Sequence, residues 1–149
     1  MQNMSGDFET GIVSEGPRDT MEAAATLAES LGFCGTVALS GDLGAGKTVF
    51  AKGLAEAMGV AGPVKSPSYN VCLTYEGGRG NFVHVDAYRL NGPEDFDALL
   101  IDELVPPPRL LCVEWPGVVA GALPDDAVFI EISMLAGSQK RLIRKLRGV

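Results

Sequence analysis

The sequence predicts a single α/β domain built on a mostly parallel sheet. Strand-like apolar segments alternate with helix-like segments through the first two thirds of the chain, a pattern typical of a parallel sheet with helices on both faces. The 149 residues are 46% hydrophobic and 21% charged, which is the size and composition of one compact globular domain. We therefore expect residues 1–149 to form one domain, with antiparallel strands added where the alternation ends.

The amino-terminal part of the chain predicts a helix, a strand and a second helix. Asp19 is a candidate cap for the first helix, with Glu22 three residues later as in a capping box. Gly32 is the candidate stop of this helix. A short apolar strand follows at 36–40, and the second helix begins inside a glycine-rich loop and runs to Met58.

The middle of the chain predicts a hairpin and a third helix. Segments 70–75 and 81–86 have the composition of strands, and the glycine-rich stretch between them is typical of a turn. Pro93 suits the first turn of a helix. The apolar face of that helix would carry Phe96, Leu99, Leu100 and Leu104. Residues 109–114 form an apolar run that ends in an acid, which is typical of a buried parallel strand.

The end of the chain is basic, although the chain as a whole is acidic. Residues 128–134 alternate as a strand does, whereas 141–147 fit a strand or a helix equally. The net charge is −7, yet residues 139–149 carry five lysines and arginines and no acid. An acidic body is unfavourable for general nucleic-acid binding. The basic end is either a contact for RNA or an acidic partner, or a solvated face.

Cysteine usage and hydropathy favour a cytoplasmic protein. The odd set of Cys34, Cys72 and Cys112 contains no CxxC pair, which argues against a disulfide framework or a zinc knuckle. We expect Cys34 and Cys112 to be small core residues. No apolar run approaches the ~20 residues that span a bilayer, and the first ten residues lack the features of a secretory signal. No membrane association is expected.

The stretch from Gly41 to Thr48 matches the phosphate-binding P-loop pattern Gly-x4-Gly-Lys-Thr in full. Glycines let the backbone fold around phosphates, and the N–H groups of the loop and of the following helix attract an anion. Lys47 would reach the β- and γ-phosphates of ATP or a close relative, and the Thr48 hydroxyl would bind Mg²⁺. The residues expected to hold the nucleotide are Gly41, Asp42, Leu43, Gly44, Ala45, Gly46, Lys47, Thr48 and Val49.

A P-loop site also needs an acid at the end of a neighbouring strand. Glu114 and Asp86 each end an apolar strand-like run, and either one would hold the metal while the other orients the attacking water. His84, the only histidine, is more typical of a structural residue than of a catalytic one. Trp115 is either near the nucleotide or plain packing, and Arg89 either neutralises transition-state charge or pairs within the fold. The guanine-binding string Asn-Lys-x-Asp does not occur, which favours adenine.

Four strings together resemble one family. GDLGAGKT, VKSPSYN, HVDAYRL and VEWPG occur in the order and rough spacing of the bacterial TsaE (YjeE) family, the small ATPase of tRNA threonylcarbamoyladenosine biosynthesis. The resemblance covers about residues 20–135. It implies a P-loop NTPase three-layer α/β sandwich that binds ATP and Mg²⁺.

The resemblance also implies roles for particular residues. Glu114 would be the metal-shell acid with Thr48, Asp86 would be needed for hydrolysis, and Trp115 would lie near the nucleotide. The segment 66–69 would be a switch-like loop that senses the γ-phosphate. Ser68 stands where the family usually has threonine, and it keeps the hydroxyl.

The resemblance further implies a weak ATPase that acts through a partner. That partner would be the TsaB–TsaD complex, which modifies adenosine 37 of tRNA, so that tRNA would be contacted only indirectly. The alternative class is a small-molecule P-loop kinase. Such kinases usually use several arginines on a lid, whereas this chain has seven arginines, three of them in the last nine residues.

Overall fold

The computed structural model describes residues 8–42, 46–65 and 70–146. These residues form one seven-stranded sheet in the order β1-β7-β6-β2-β5-β4-β3. The strands are β1 (Ile12–Ser14), β2 (Gly35–Ser40), β3 (Cys72–Gly77), β4 (Gly80–Asp86), β5 (Arg109–Glu114), β6 (Val128–Met134) and β7 (Arg141–Lys145). The helices are α1 (Pro17–Ser30), α2 (Lys47–Ala57), α3 (Pro93–Asp97) and α4 (Ile101–Leu104), with 3₁₀ segments at Ala87–Arg89 and Pro116–Ala122.

The sheet is parallel in the centre and antiparallel at both edges. The pairs β6–β2, β2–β5 and β5–β4 are parallel, whereas β1–β7, β7–β6 and β4–β3 are antiparallel. This arrangement confirms the predicted sheet and the predicted hairpin, although the hairpin turn is shorter than expected. The segment that fitted strand or helix equally is strand β7.

Helices cover both faces of the sheet, as the alternating pattern predicted. On the face covered by α1 and α2, the buried side chains include Leu27, Phe50, Leu54, Phe82, Leu110 and Ile130. On the opposite face, covered by α3, α4 and the second 3₁₀ segment, they include Val83, Val85, Phe96, Ile101 and Val113. None of the described helices has the length and apolar character needed to cross a membrane.

The predicted start of the first helix was wrong. Helix α1 begins at Pro17 after Gly16, and no side chain caps its first turn. Proline is favoured at the first helical position because its fixed φ suits a helix and its missing N–H costs nothing there. Asp19 therefore lies inside the first turn, where its Oδ2 accepts a hydrogen bond from the Glu15 N–H at 3.0 Å.

The third helix is interrupted, so its predicted apolar face was only partly right: Phe96 and Leu99 pack in the core. Leu100 adopts a left-handed conformation with φ 56° between α3 and α4. The break turns Leu100 and Leu104 into solvent, and the buried side chains are those of Phe96 and Ile101. A left-handed residue between two short helices gives no signal in an apolar spacing pattern.

The three cysteines are free thiols. Cys112 is buried in the sheet, as expected. The expectation for Cys34 was wrong, because this residue is exposed in the turn between α1 and β2. Phe33 just before it has φ 61°, which turns the chain outward before the strand begins.

The close contact between α1 and α2 predicts that one methyl group added at Gly53 lowers the stability of the protein. A Cβ at Gly53 would lie 2.7 Å from the Met21 carbonyl oxygen and 2.8 Å from the Ala24 Cβ. We expect Gly53→Ala to lower the free energy of unfolding by about 1–3 kcal/mol, since overpacking against backbone outweighs the better helix propensity of alanine. Urea denaturation measures this change.

The matched control is Gly117→Ala, because no atom of the described residues lies within 4 Å of a Cβ at that position. Its free energy of unfolding should stay close to that of the unmodified protein. Equal stability of the Gly53→Ala variant would contradict close packing between the two helices.

Candidate nucleotide-binding site

The P-loop sequence lies between a central strand and a helix, as predicted. Strand β2 ends at Ser40 and α2 begins at Lys47, with Gly46 at its N-cap. Gly41 and Gly46 have φ values of 152° and 105°, in the left-handed region that favours glycine. Three of the predicted contact residues, Leu43, Gly44 and Ala45, lie outside the described residues.

Lys47 is buried at the first residue of α2. Its ammonium lies 4.1 Å from the centroid of the Trp115 ring, an attractive cation–π geometry. Its Nζ is buried and has no hydrogen-bond partner among the residues that the structure describes. A buried cation without a hydrogen-bonding acceptor is costly. The position of Lys47 therefore fits an anionic ligand such as a phosphate.

The two predicted acids are brought side by side. Asp86, the last residue of β4, is the register partner of Glu114, the last residue of β5. Glu114 is also paired with Leu39 of β2, the strand that leads into the P-loop. Neighbouring strands lie about 4.8 Å apart, so these residues form one row at the carboxyl edge of the sheet. Both acids thus end their strands, as predicted, and the roles predicted for them stay predictions.

The side chains of this row lie on the face covered by α2. Register partners share a face, and Leu39 belongs to the core beneath α1 and α2. Glu114 and Asp86 therefore lie on the same face of the sheet as the helix that begins with Lys47. The residues that follow it in the first turn, Thr48 and Val49, are half-buried, whereas Asp42 is exposed.

Glu114 is buried and forms a contact that the sequence did not indicate. Its Oε2 lies 2.6 Å from Nε2 of His84, which is fully buried. His84 and Asp86 are two residues apart on β4, and this spacing puts both on the face of Glu114. That spacing was the available signal, but the register between the strands was needed to use it.

Asp86 has a different environment from Glu114. It is half-buried, and its Oδ1 accepts a hydrogen bond from the Tyr88 N–H at 3.1 Å, which caps the first 3₁₀ segment. Tyr88 is 66% exposed. Its ring centroid lies 5.2 Å from that of Trp115. The sequence analysis did not single out Tyr88. Arg89 is exposed at the end of the same segment.

Trp115 contacts residues from two parts of the candidate site. It has φ 56°, a strained conformation for a bulky side chain, at the junction of β5 and the second 3₁₀ segment. Its ring contacts both Lys47 and Tyr88. Trp115 therefore lies beside the P-loop lysine, and its expected position near the nucleotide stays a prediction. The predicted switch residue Ser68, with the rest of 66–69, lies outside the described residues.

A cavity of about 610 Å³ opens elsewhere, at the amino edge of the sheet. It is lined by the first residues of β2 and β5, including Gly35 and Arg109, and by the loop around Leu100. It contains none of the predicted site residues. The candidate site is therefore defined by its buried charged groups and by the P-loop sequence.

The fold and the residues at the carboxyl edge of the sheet define the class of protein to which the chain belongs. A sheet with a parallel centre, helices on both faces and a Gly-x4-Gly-Lys-Thr sequence between its central strand and the next helix is the architecture of P-loop α/β proteins. The chain belongs to the family described as threonylcarbamoyl adenosine biosynthesis protein TsaE, whose model matches residues 14–143. The family resemblance of the four strings is confirmed.

Individual relatives agree with this assignment. A Treponema pallidum protein named tRNA threonylcarbamoyladenosine biosynthesis protein TsaE is 34% identical over 130 residues, which cover 87% of this chain and 96% of the relative. The Bacillus subtilis protein of the same name is 36% identical over 105 residues, 70% of this chain and 65% of the relative. A crystal structure of Bacillus subtilis YdiB matches with a TM-score of 0.68 at 31% identity, covering 89% of this chain and 81% of that one.

The buried thiol beneath the acidic row predicts how stability changes with pH. Burial raises the pKa of Cys112 well above its ordinary 9.0, and the negative charge of Glu114 raises it further. Above pH 9 the unfolded thiol ionises while the folded one stays neutral, so the folded state binds more protons. We expect the free energy of unfolding to fall by up to about 1.4 kcal/mol per pH unit from this group.

Urea denaturation between pH 8 and pH 10 measures this slope in the unmodified protein, in Cys112→Ala and in Cys34→Ala. The slope should be shallower in Cys112→Ala and unchanged in Cys34→Ala, since Cys34 is exposed. Identical slopes in all three proteins would contradict the prediction.

Proposed function

We propose that the protein binds ATP with Mg²⁺ and hydrolyses it slowly, and that it serves tRNA threonylcarbamoyladenosine biosynthesis by acting through the TsaB–TsaD complex. One observation carries the nucleotide part of the proposal. A lysine in the P-loop pattern is buried at a helix start with its ammonium unpartnered among the described residues, on the same face of the sheet as two strand-end carboxylates. Lysine, carboxylates and a helix N-terminus are the parts that a phosphoryl-transfer site requires.

Lys47 and α2 would bind the phosphates. The ammonium would donate hydrogen bonds to the β- and γ-phosphate oxygens, and this would supply the acceptor that the buried Nζ needs. The α2 N-terminus adds a favourable partial positive charge for the same oxygens. Trp115 covers the ammonium from one side and keeps water from it, which strengthens its attraction for phosphate.

The two acids would have different roles, one in binding Mg²⁺ and one in orienting water, because they lie at different distances from the P-loop. Glu114 lies on the strand next to β2, and with the Thr48 hydroxyl it would hold Mg²⁺, which neutralises charge on the phosphates. Asp86 lies one strand further from the loop and is half-exposed. It would orient the attacking water by accepting a hydrogen bond from it.

Family membership supports the partner part of the proposal. The relatives carry the name of tRNA threonylcarbamoyladenosine biosynthesis, whereas this chain has a net charge of −7. An acidic protein binds tRNA poorly by itself. A role in tRNA modification is therefore best explained by a protein partner that binds the tRNA, and TsaB–TsaD is the proposed one.

An ATPase assay with and without the TsaB–TsaD complex tests the proposal. We expect weak Mg²⁺-dependent hydrolysis by the protein alone and stimulation by the complex. Lys47→Ala should abolish tight ATP binding, because the phosphates lose their cationic partner. Quenching or enhancement of the emission of Trp115, the only tryptophan, measures binding, since its ring contacts the Lys47 ammonium.

Lys52→Ala is the matched control, because Lys52 is an exposed lysine on the same helix. It should bind ATP as the unmodified protein does. Unchanged ATP affinity in Lys47→Ala would overturn the nucleotide site. Transfer of phosphate to an added metabolite, in place of hydrolysis, would favour a small-molecule kinase.

Asp86→Ala should bind ATP with near-normal affinity and hydrolyse it poorly in the presence of the partner complex. The loss follows from the missing carboxylate at the water position, and we expect it to be on the order of 10²- to 10⁴-fold in rate. Single-turnover hydrolysis measures it. Asp86→Asn keeps an acceptor for the Tyr88 N–H but loses the charge, so it should be equally slow. Normal turnover in either variant would remove Asp86 from the reaction.

A further inference from the structure

His84 is a buried titratable side chain that the proposed reaction leaves without a role. It is fully buried on β4 and is the only histidine of the chain. It lies two residues before Asp86 on β4, on the same face of the sheet as Glu114. A buried polar ring costs free energy unless its nitrogens are hydrogen-bonded.

The strand register places His84 diagonally behind Glu114. His84 is the register partner of Cys112, and Glu114 is the next residue of β5 on the same face. The Nε2–Oε2 distance of 2.6 Å is at the short end for a hydrogen bond to a carboxylate. The exposed fractions of the two side chains are 0% and 9%, so water competes little for this contact.

The proton of this contact is assigned by its chemistry. A carboxylate only accepts, so the imidazole must donate through Nε2–H. The other nitrogen, Nδ1, is buried and has no partner within the described parts of the chain. The ring of Phe82, two residues earlier on the same strand, lies 6.0 Å away between centroids. Among the described residues, the ring thus makes one hydrogen bond, and its partner is Glu114.

We propose that His84 is a positioning residue for Glu114. Its Nε2–H fixes the carboxylate in one orientation and leaves the second carboxylate oxygen for the metal. This inference rests on the proposed function, since it gives Glu114 the metal-holding role. Hydrogen bonds to a metal-binding carboxylate orient it, and their removal typically lowers metal affinity or activity 10- to 100-fold.

Three substitutions separate positioning from packing. His84→Leu removes the donor and fills similar space, whereas His84→Gln keeps an N–H donor at a similar reach. Phe82→Leu is the matched control, because Phe82 is on the same strand and face and is equally buried. Each protein is assayed with the partner complex for its ATPase rate and for the Mg²⁺ concentration that gives half-maximal rate.

We expect His84→Leu to raise that Mg²⁺ concentration about 10- to 100-fold, while ATP binding without Mg²⁺ stays normal. His84→Gln should recover much of the loss, and Phe82→Leu should keep the normal Mg²⁺ dependence. In a Glu114→Gln background, His84→Leu should add no further loss, because the carboxylate that it positions is gone. A normal Mg²⁺ dependence in His84→Leu, or an equal change in Phe82→Leu, overturns the proposal.

A measurement that does not depend on ATP hydrolysis tests the positioning role of His84 separately from the proposed ATPase activity. Because the chain has one histidine, its ¹⁵N imidazole signals are assigned without ambiguity. They should show the proton on Nε2 and should shift in Glu114→Gln. A proton on Nδ1, or no shift in Glu114→Gln, overturns the positioning role even if ATP is hydrolysed. Absent hydrolysis with the expected signals instead contradicts the proposed ATPase and leaves the His84–Glu114 contact established.

Discussion

The parallel pairing of β5 between β2 and β4 is the constraint on which the site depends. It aligns Leu39, Glu114 and Asp86 in one row, so that the chain leaves β2 for the P-loop at the edge where β5 and β4 end in acids. A one-residue shift of β5 would turn Glu114 to the opposite face of the sheet, away from α2. Five consecutive residues of β5, from Leu110 to Glu114, are buried, and a shift would move the apolar ones out of the positions in which they pack.

Burial of charged and titratable side chains is costly, and it is concentrated at the carboxyl edge of the sheet. Among the described residues, the buried lysine, histidine and glutamate are Lys47, His84 and Glu114, and all three lie at or beside the carboxyl edge of β4 and β5 or at the helix facing it. Removing a charge from water costs several kcal/mol, and hydrophobic packing would be more stable. Such clustering is typical of a functional site. The exposed ion pair of Lys140 with Glu15, by contrast, contributes little to stability.

Local chemistry explains what the sequence predicted well. The alternation of apolar strands and helices, the glycine-rich turn and the acid at the end of each run are short-range signals, and β2, α2, the hairpin and β5 followed from them. The errors were also local. Proline at the first helical position displaced the Asp19 cap, and a left-handed Leu100 divided the third helix. Neither conformation is encoded in hydrophobic spacing.

Contacts between side chains of different elements could not be predicted from the sequence, because they depend on strand register and on backbone strain. The strand-end rule placed Asp86 and Glu114 at one edge, but only the β4–β5 register shows that His84, two residues earlier, reaches Glu114. Trp115 lies over Lys47 at a residue that adopts φ 56°. Such strain persists where the surrounding structure holds it, and it clusters at functional sites. The junction of β5 with the following 3₁₀ segment is therefore a strained position that lies at the candidate site, whereas Phe33 and Leu100 are left-handed elsewhere.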